Sequence, residues 1–340
     1  MSLRKLNSLL VIAALIVVSA VSCKKDEETT VLPYLTGLYF DCPTYVSPGE
    51  AVRLIPKGVD EPEDVEVGYC WRVTPTMSQN DTIDAGEIYV HWFSDTLKTY
   101  NVNCYAFAQG YNNAYATKEV MVVKGGLDGS ITQTGIKSTD PKVTVDGVDY
   151  YYVRVGGLDW FRNNLAVTGS GVSYVNSDVM SDVFGRFYSY EEAMTACPEG
   201  WRIPTEEDWM SLANSVEADV TEKYTTFDDV ASKLFANASF NGVQIIQYWP
   251  EVGDITNEGK VGLLPFGYTN LRSIDGDGKY PDASFDGVFE YAVYWTADKV
   301  EGNANQAYYR YMISNQPEMF VAKGDVKTFG ASVRCVRDAK

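Results

Sequence analysis

The chain has 340 residues, 45% of them hydrophobic and 22% charged, which is enough for two packed cores and too apolar for a disordered chain. Its 46 acidic against 28 basic residues give a formal charge of −18, a field that repels phosphate backbones and excludes nucleic acid as a partner. The single histidine, His91, lies in the N-terminal part of the chain, so the rest of the sequence carries no His-based triad, and a zinc site built on clustered histidines is excluded.

The N-terminus reads as an export signal. Arg4 and Lys5 form a basic flank, Leu9 to Val18 an apolar run too short to span a bilayer comfortably, and Ser19 to Ser22 a small-residue stretch ending at Cys23. Ala20-Val21-Ser22-Cys23 resembles a lipobox, which implies removal of residues 1–22 and acylation of Cys23. Loss of Arg4 and Lys5 would take the formal charge from −18 to −20. Residues 23–32 form a tether, and its Lys24-Lys25-Asp26-Glu27-Glu28 resembles the acidic tag that sends some lipoproteins across the outer membrane. The expected location is the outer membrane, lipid-anchored and facing the cell exterior. With Cys23 acylated, Cys42, Cys70, Cys104, Cys197 and Cys335 remain, an odd set that allows at most two disulfides.

Residues 33–124 read as an all-β domain of short alternating runs separated by turn formers such as Pro48-Gly49. Tyr69, Trp71 and Val73 share one strand face; Tyr100, Val102, Cys104 and Ala106 share another. Gly68-Tyr69-Cys70-Trp71 followed by Tyr100 to Cys104 resembles immunoglobulin-like modules, which implies a β-sandwich with an inward Trp. Alternation turns Cys104 inward and Cys70 away from Trp71, so no pairing is chosen among Cys42, Cys70 and Cys104. His91, beside Trp92 and without a partner histidine, is expected to be structural. The Gly-rich stretch after Lys124 marks a linker over residues 125–135.

The second domain is expected over residues 136–340. It opens with a hairpin, Val143 to Val145 and Val148 to Val155, around an Asp146-Gly147 turn. Ser189 with Glu192 forms a capping box ahead of a helix that places Tyr190, Ala193, Met194 and Cys197 on one face. Thr205 with Asp208 resembles a second box, ahead of Trp209, Leu212, Ala213 and Val216. A weaker helix begins near Asp228, and the remainder reads as strands and long loops.

Seven blocks then occur in a recognisable order. They are Trp160 to Leu165, Gly185 to Tyr188, Cys197 to Thr205, Trp209 to Leu212, Leu264 to Tyr268, Tyr294 to Asp298 and Ser332 to Val336. In this order they resemble the Fibrobacter succinogenes major paralogous domain, which is grouped with C-type lectin-like folds. The resemblance implies an α+β domain with two helices, small sheets and a long irregular loop region. It also implies a disulfide between Cys197 and Cys335, both on core-facing positions, tying the first helix to the last strand. Arg202 to Trp209 is similar to a segment of formylglycine-generating enzymes, but Cys197 and Cys335 sit at structural positions rather than as a copper-binding pair.

The candidate chemistry is sparse. Asp275, Asp277 and Asp282 give the oxygen density a calcium ion favours, without a full twelve-position loop, so a solvated acidic loop is the stronger reading. Tyr308, Tyr309 and Tyr311 could stack on sugars or anchor a protein contact, although alternation buries about half of such a run. With 46 Asp and Glu residues a glycosidase pair cannot be picked from spacing. The sequence therefore leads to an expectation of a non-enzymatic, surface-exposed outer-membrane lipoprotein. It would need no cofactor and would bind an extracellular glycan or protein through its lectin-like domain. The rivals are an enzyme on that scaffold, carbohydrate-active or formylglycine-generating-like, and a structural envelope component.

Overall fold

The computed structural model describes residues 31–60, 62–63, 65–75, 84–94, 96–245, 254–276 and 279–339. The segment read as a signal peptide, Cys23, nearly all of the segment read as a tether and Asp277 lie outside them. The protein is mostly β, with many small sheets and four short α-helices among the described residues, none long and apolar enough to cross a membrane.

The first unit packs a five-stranded sheet against the two-stranded sheet Ala51–Leu54 and Tyr89–Trp92. The central strand of the larger sheet, Thr99–Phe107, alternates half-buried and buried residues, and sends Tyr100, Val102, Cys104 and Ala106 inward. Its neighbour Gly68–Pro75 pairs Trp71 with Cys104, so both sit on the core face with Phe40, Val52, Leu54 and Phe93. Phe40 meets Trp71 edge-on at 5.1 Å. Cys42, Cys70 and Cys104 are free thiols, and burial holds the Cys104 thiol up at about 12. His91 Nδ1 lies 3.0 Å from the Tyr89 hydroxyl, and its ring sits edge-on to Phe93.

The expected linker is not a free connector. Ile131–Gln133 is a strand paired with Ala238–Phe240 of the second unit, because Gly129 and Ser130 fold the chain back on Lys124 and turn Ile131 toward an apolar surface. Tyr45, Met121 and Val123 of the first unit pack into the same core as Phe184 of the second, and Tyr45 meets Tyr174 at 6.1 Å.

In the second unit the Asp146-Gly147 turn closes the hairpin Lys142–Val145 and Val148–Val155, with both turn residues at positive φ, as a two-residue hairpin of this hand requires. Leu158–Phe161 and Val336–Asp338 extend that sheet. Both capping boxes form: Ser189 and Thr205 accept from the backbone of Glu192 and Asp208, whose carboxylates accept from the cap backbones. Met194 is exposed rather than on the buried face, since the helix Tyr190–Ala196 is only two turns long and packs through Tyr190, Ala193 and Ala196. The weaker helix expected near Asp228 is a single turn, Ala231–Leu234, beginning beyond Asp228 because Asp229 adopts positive φ.

Tyr291–Val300, Asn303–Ile313 and Met319–Asp325 form a three-stranded antiparallel sheet that separates two cores. Ala292, Tyr294, Met312 and Met319 face one core, with Trp160, Trp209 and Phe266. Val293, Trp295 and Ala307 face the other, with Phe161, Trp201 and Cys335. A disulfide joins Cys197, at the end of its helix, to Cys335, just before the last strand, across a sequence separation of 138.

Candidate ligand-binding site

Alternation along Asn303–Ile313 divides the tyrosines that sequence reasoning grouped together. Tyr309 and Tyr311 lie on one face of the sheet, whereas Tyr308 lies on the other, where it stacks on Tyr224 at 4.1 Å under the Lys323 amine. A single ligand cannot use all three, because successive side chains of a strand point to opposite faces.

The face that carries Tyr309 and Tyr311 gathers further rings from distant parts of the chain. Tyr311 neighbours Tyr309 at 5.9 Å, Tyr309 stacks on Phe329 at 4.5 Å, and Phe329 stacks on Tyr268 at 5.7 Å. Tyr268 then meets Tyr291 edge-on at 6.0 Å, and Tyr291 returns to Tyr311 at 6.5 Å, closing a circuit of five rings. Phe320, stacked on Tyr311 at 5.2 Å, extends it. Cross-strand pairing sets most of this, since Tyr311 pairs with Phe320, while Thr269 and Asn270 pair with Gly330 and Phe329. Gly330 brings the two strands close: a Cβ there would lie 2.4 Å from the Thr269 methyl. Trp295 and Val293 support the circuit from beneath.

All six rings are half-buried. The hydroxyls of Tyr268, Tyr291, Tyr309 and Tyr311 make no hydrogen bond among the described residues and are absent from the set of buried, unsatisfied polar atoms, so they reach solvent. Burial pushes the Tyr309 phenol up to about 12, and burial also raises Tyr268 and Tyr311, so these groups stay protonated donors at neutral pH. Asp286 and Glu290, the charges acting on Tyr268, add a negative edge. The site thus presents apolar ring faces together with neutral hydroxyls. Tyr268, Tyr291, Phe320 and Phe329 were missed from sequence. Their aromatic character was visible, but the pairing that assembles them spans up to 61 residues, from Tyr268 to Phe329.

The remaining chemical candidates serve the scaffold. Glu206 is fully buried against Arg310, Asp208 pairs with Arg202, and Glu207 pairs with Lys223. Burial lowers Arg310 to about 9, and its guanidinium lies 3.6 Å over the Phe227 ring. Asp298, raised by burial, accepts from the Glu206 backbone at 2.8 Å and from the Tyr224 hydroxyl at 3.2 Å. Arg334 is buried and donates to Asn164 Oδ1 and to the carbonyls of Phe161, Val261 and Gly262. Trp160, Phe161, Trp209, Trp295 and Cys335, all within the recurring blocks, are wholly inside. Those blocks therefore supply much of the framework, and one of them also brings Tyr268 to the aromatic circuit. Cys197 and Cys335 are bonded to each other, which leaves neither as a thiolate for copper.

The described part of the acidic loop makes local hydrogen bonds. Asp275 accepts from the Lys279 backbone at 2.8 Å, and Asp282 accepts from the Ser273 hydroxyl at 2.9 Å. Among the described residues no three His, Cys, Asp or Glu side chains converge as a metal site.

Residues 153–337 match the model of the Fibrobacter succinogenes major domain. No curated protein matches the chain. Among solved structures, the M60 catalytic domain with the CBM51-1 and CBM51-2 domains from Clostridium perfringens ZmpB aligns with 94% of this chain and 30% of its own, at 13% identity and a TM-score of 0.17. The chain thus spans under a third of that protein's length, and the likeness is too low to show a shared fold.

Proposed function

The chain belongs to the Fibrobacter succinogenes major domain family, and on that footing we propose that it is a glycan-binding surface lipoprotein rather than an enzyme. Acylated at Cys23 and facing the cell exterior, it uses an immunoglobulin-like first unit as a spacer. The second unit, on a C-type lectin-like scaffold, recognises the ligand. One observation carries the reading: the circuit of half-buried rings around Tyr309 and Tyr311, whose four phenol hydroxyls reach solvent. Sugars have apolar C–H faces and hydroxyl edges, and this surface offers a partner for each. A protein partner would be expected to demand a larger and drier patch than rings so nearly sunk in the surface.

The reading is tested by probing a glycan array with the full chain, with and without calcium, beside the Tyr311→Ala variant. Binding to a defined glycan family that Tyr311→Ala abolishes is the expected result. An array on which both proteins are equally silent would sink it.

A further inference from the structure

A second concavity lies where the segment after the first unit crosses the second unit, with a volume of about 640 Å³. It is a built feature. Ser130 and Lys124 exchange hydrogen bonds at 2.7 and 2.8 Å, Ile131–Gln133 is paired to Ala238–Phe240, and Gln133 Nε2 donates to the Gly262 carbonyl at 3.1 Å. Gly125 is pressed so close to the helix Asp178–Phe184 that a Cβ would lie 2.6 Å from the Asp182 carbonyl oxygen. The wall made by the segment is therefore fixed against the second unit at several points.

The polar groups facing this space have unused capacity. Asn163 accepts from the Tyr151 backbone through Oδ1, which leaves its amide N–H donors open. Gln133 uses its amide N–H and leaves Oε1 open, and the Asp182 carboxylate has no partner among the described residues. Half-buried Ile131, Ile136 and Val183 supply apolar wall between them. The one cation on the lining, Lys124, is bound to Asp128 at 2.8 Å.

We propose that this crevice is a second binding site, which takes a short neutral saccharide of one or two rings. Planar amides and a carboxylate set around aliphatic wall match vicinal hydroxyls flanking C–H faces. Asp182 carries no counter-cation, and the lining has no free positive charge, so uronic acids and phosphorylated sugars are repelled. The volume falls within the range of small-ligand sites and suits one or two pyranose rings. This site shares no residue with the aromatic circuit and stands or falls independently of it.

The test is calorimetric titration of the full chain with neutral mono- and disaccharides (glucose, galactose, mannose, N-acetylglucosamine, lactose, maltose and cellobiose), with galacturonate as the anionic probe. The variants are Tyr311→Ala, which disables the aromatic circuit so that the crevice is read alone, and Asp182→Ala, which removes the unpartnered carboxylate. In the Tyr311→Ala background at least one neutral sugar should still bind one-to-one, and at least tenfold more weakly once Asp182→Ala is added, with galacturonate silent. Silence of all the neutral sugars in the Tyr311→Ala background, or binding that adding Asp182→Ala leaves intact, overturns the proposal.

Discussion

Arg310 and Glu206 form an ion pair with neither side chain exposed, joining the strand Asn303–Ile313 to the first turn of the helix Glu206–Asn214. Arg310 also donates to the Thr225 carbonyl at 2.6 Å, so one guanidinium ties helix, sheet and loop together. Removing one partner leaves a buried charge uncompensated. Glu206→Gln should therefore cost about 3–5 kcal/mol in chemical denaturation, whereas Glu206→Leu combined with Arg310→Met should recover most of the loss.

The two faces of that strand make opposite predictions for ligand binding. Tyr311→Ala should weaken glycan binding at least tenfold, while Tyr308→Ala, on the face that stacks against Tyr224, should leave it unchanged. Equal loss from both variants would count against the division of the strand into a binding face and a packing face.

Tyrosine ionisation gives a pH dependence of defined sign. Burial holds Tyr309 at about 12, against an ordinary value of 10, so between these values the unfolded chain loses a proton that the folded chain keeps. The contribution of this tyrosine to stability should be level below pH 10 and fall as pH rises from 10 to 12, by at most about 1.4 kcal/mol per pH unit and by less to the extent that solvent screens its hydroxyl. Tyr309→Phe should flatten that fall in denaturation curves recorded across the range.

The disulfide closes a loop with a sequence separation of 138, so replacing Cys197 and Cys335 by Ser should lower stability by about 4–5 kcal/mol on the chain-entropy model. Non-reducing peptide mapping should recover Cys197 linked to Cys335. Cys104, buried and with its thiol held at about 12, should resist alkylation until the protein unfolds, because the thiolate is the reactive form.

What the sequence made legible was local. The Asp146-Gly147 turn, the boxes at Ser189 and Thr205 and the alternation from Tyr100 to Ala106 each depend on residues a few positions apart, and each formed as read. Tyr308, Tyr309 and Tyr311 were grouped as one set, whereas the two-residue period puts Tyr309 and Tyr311 on one face and Tyr308 on the other. The rest of the circuit was illegible because strand pairing, not composition, brings Phe329 to Tyr268 and Phe320 to Tyr311. The segment after Lys124 misled for a related reason. Its glycines looked like slack, yet Gly125 serves close approach to Asp182 and the following residues join a sheet.

The Cys197–Cys335 bond also decides how the molecule would carry tension. Every ring of the aromatic circuit lies between those two cysteines in the chain. A pull on any of them therefore travels toward the N-terminal end along two covalent routes, one running back directly and the other forward through Cys335, which merge at Cys197. A tethered molecule gripped there would be held by a sling rather than by a single thread.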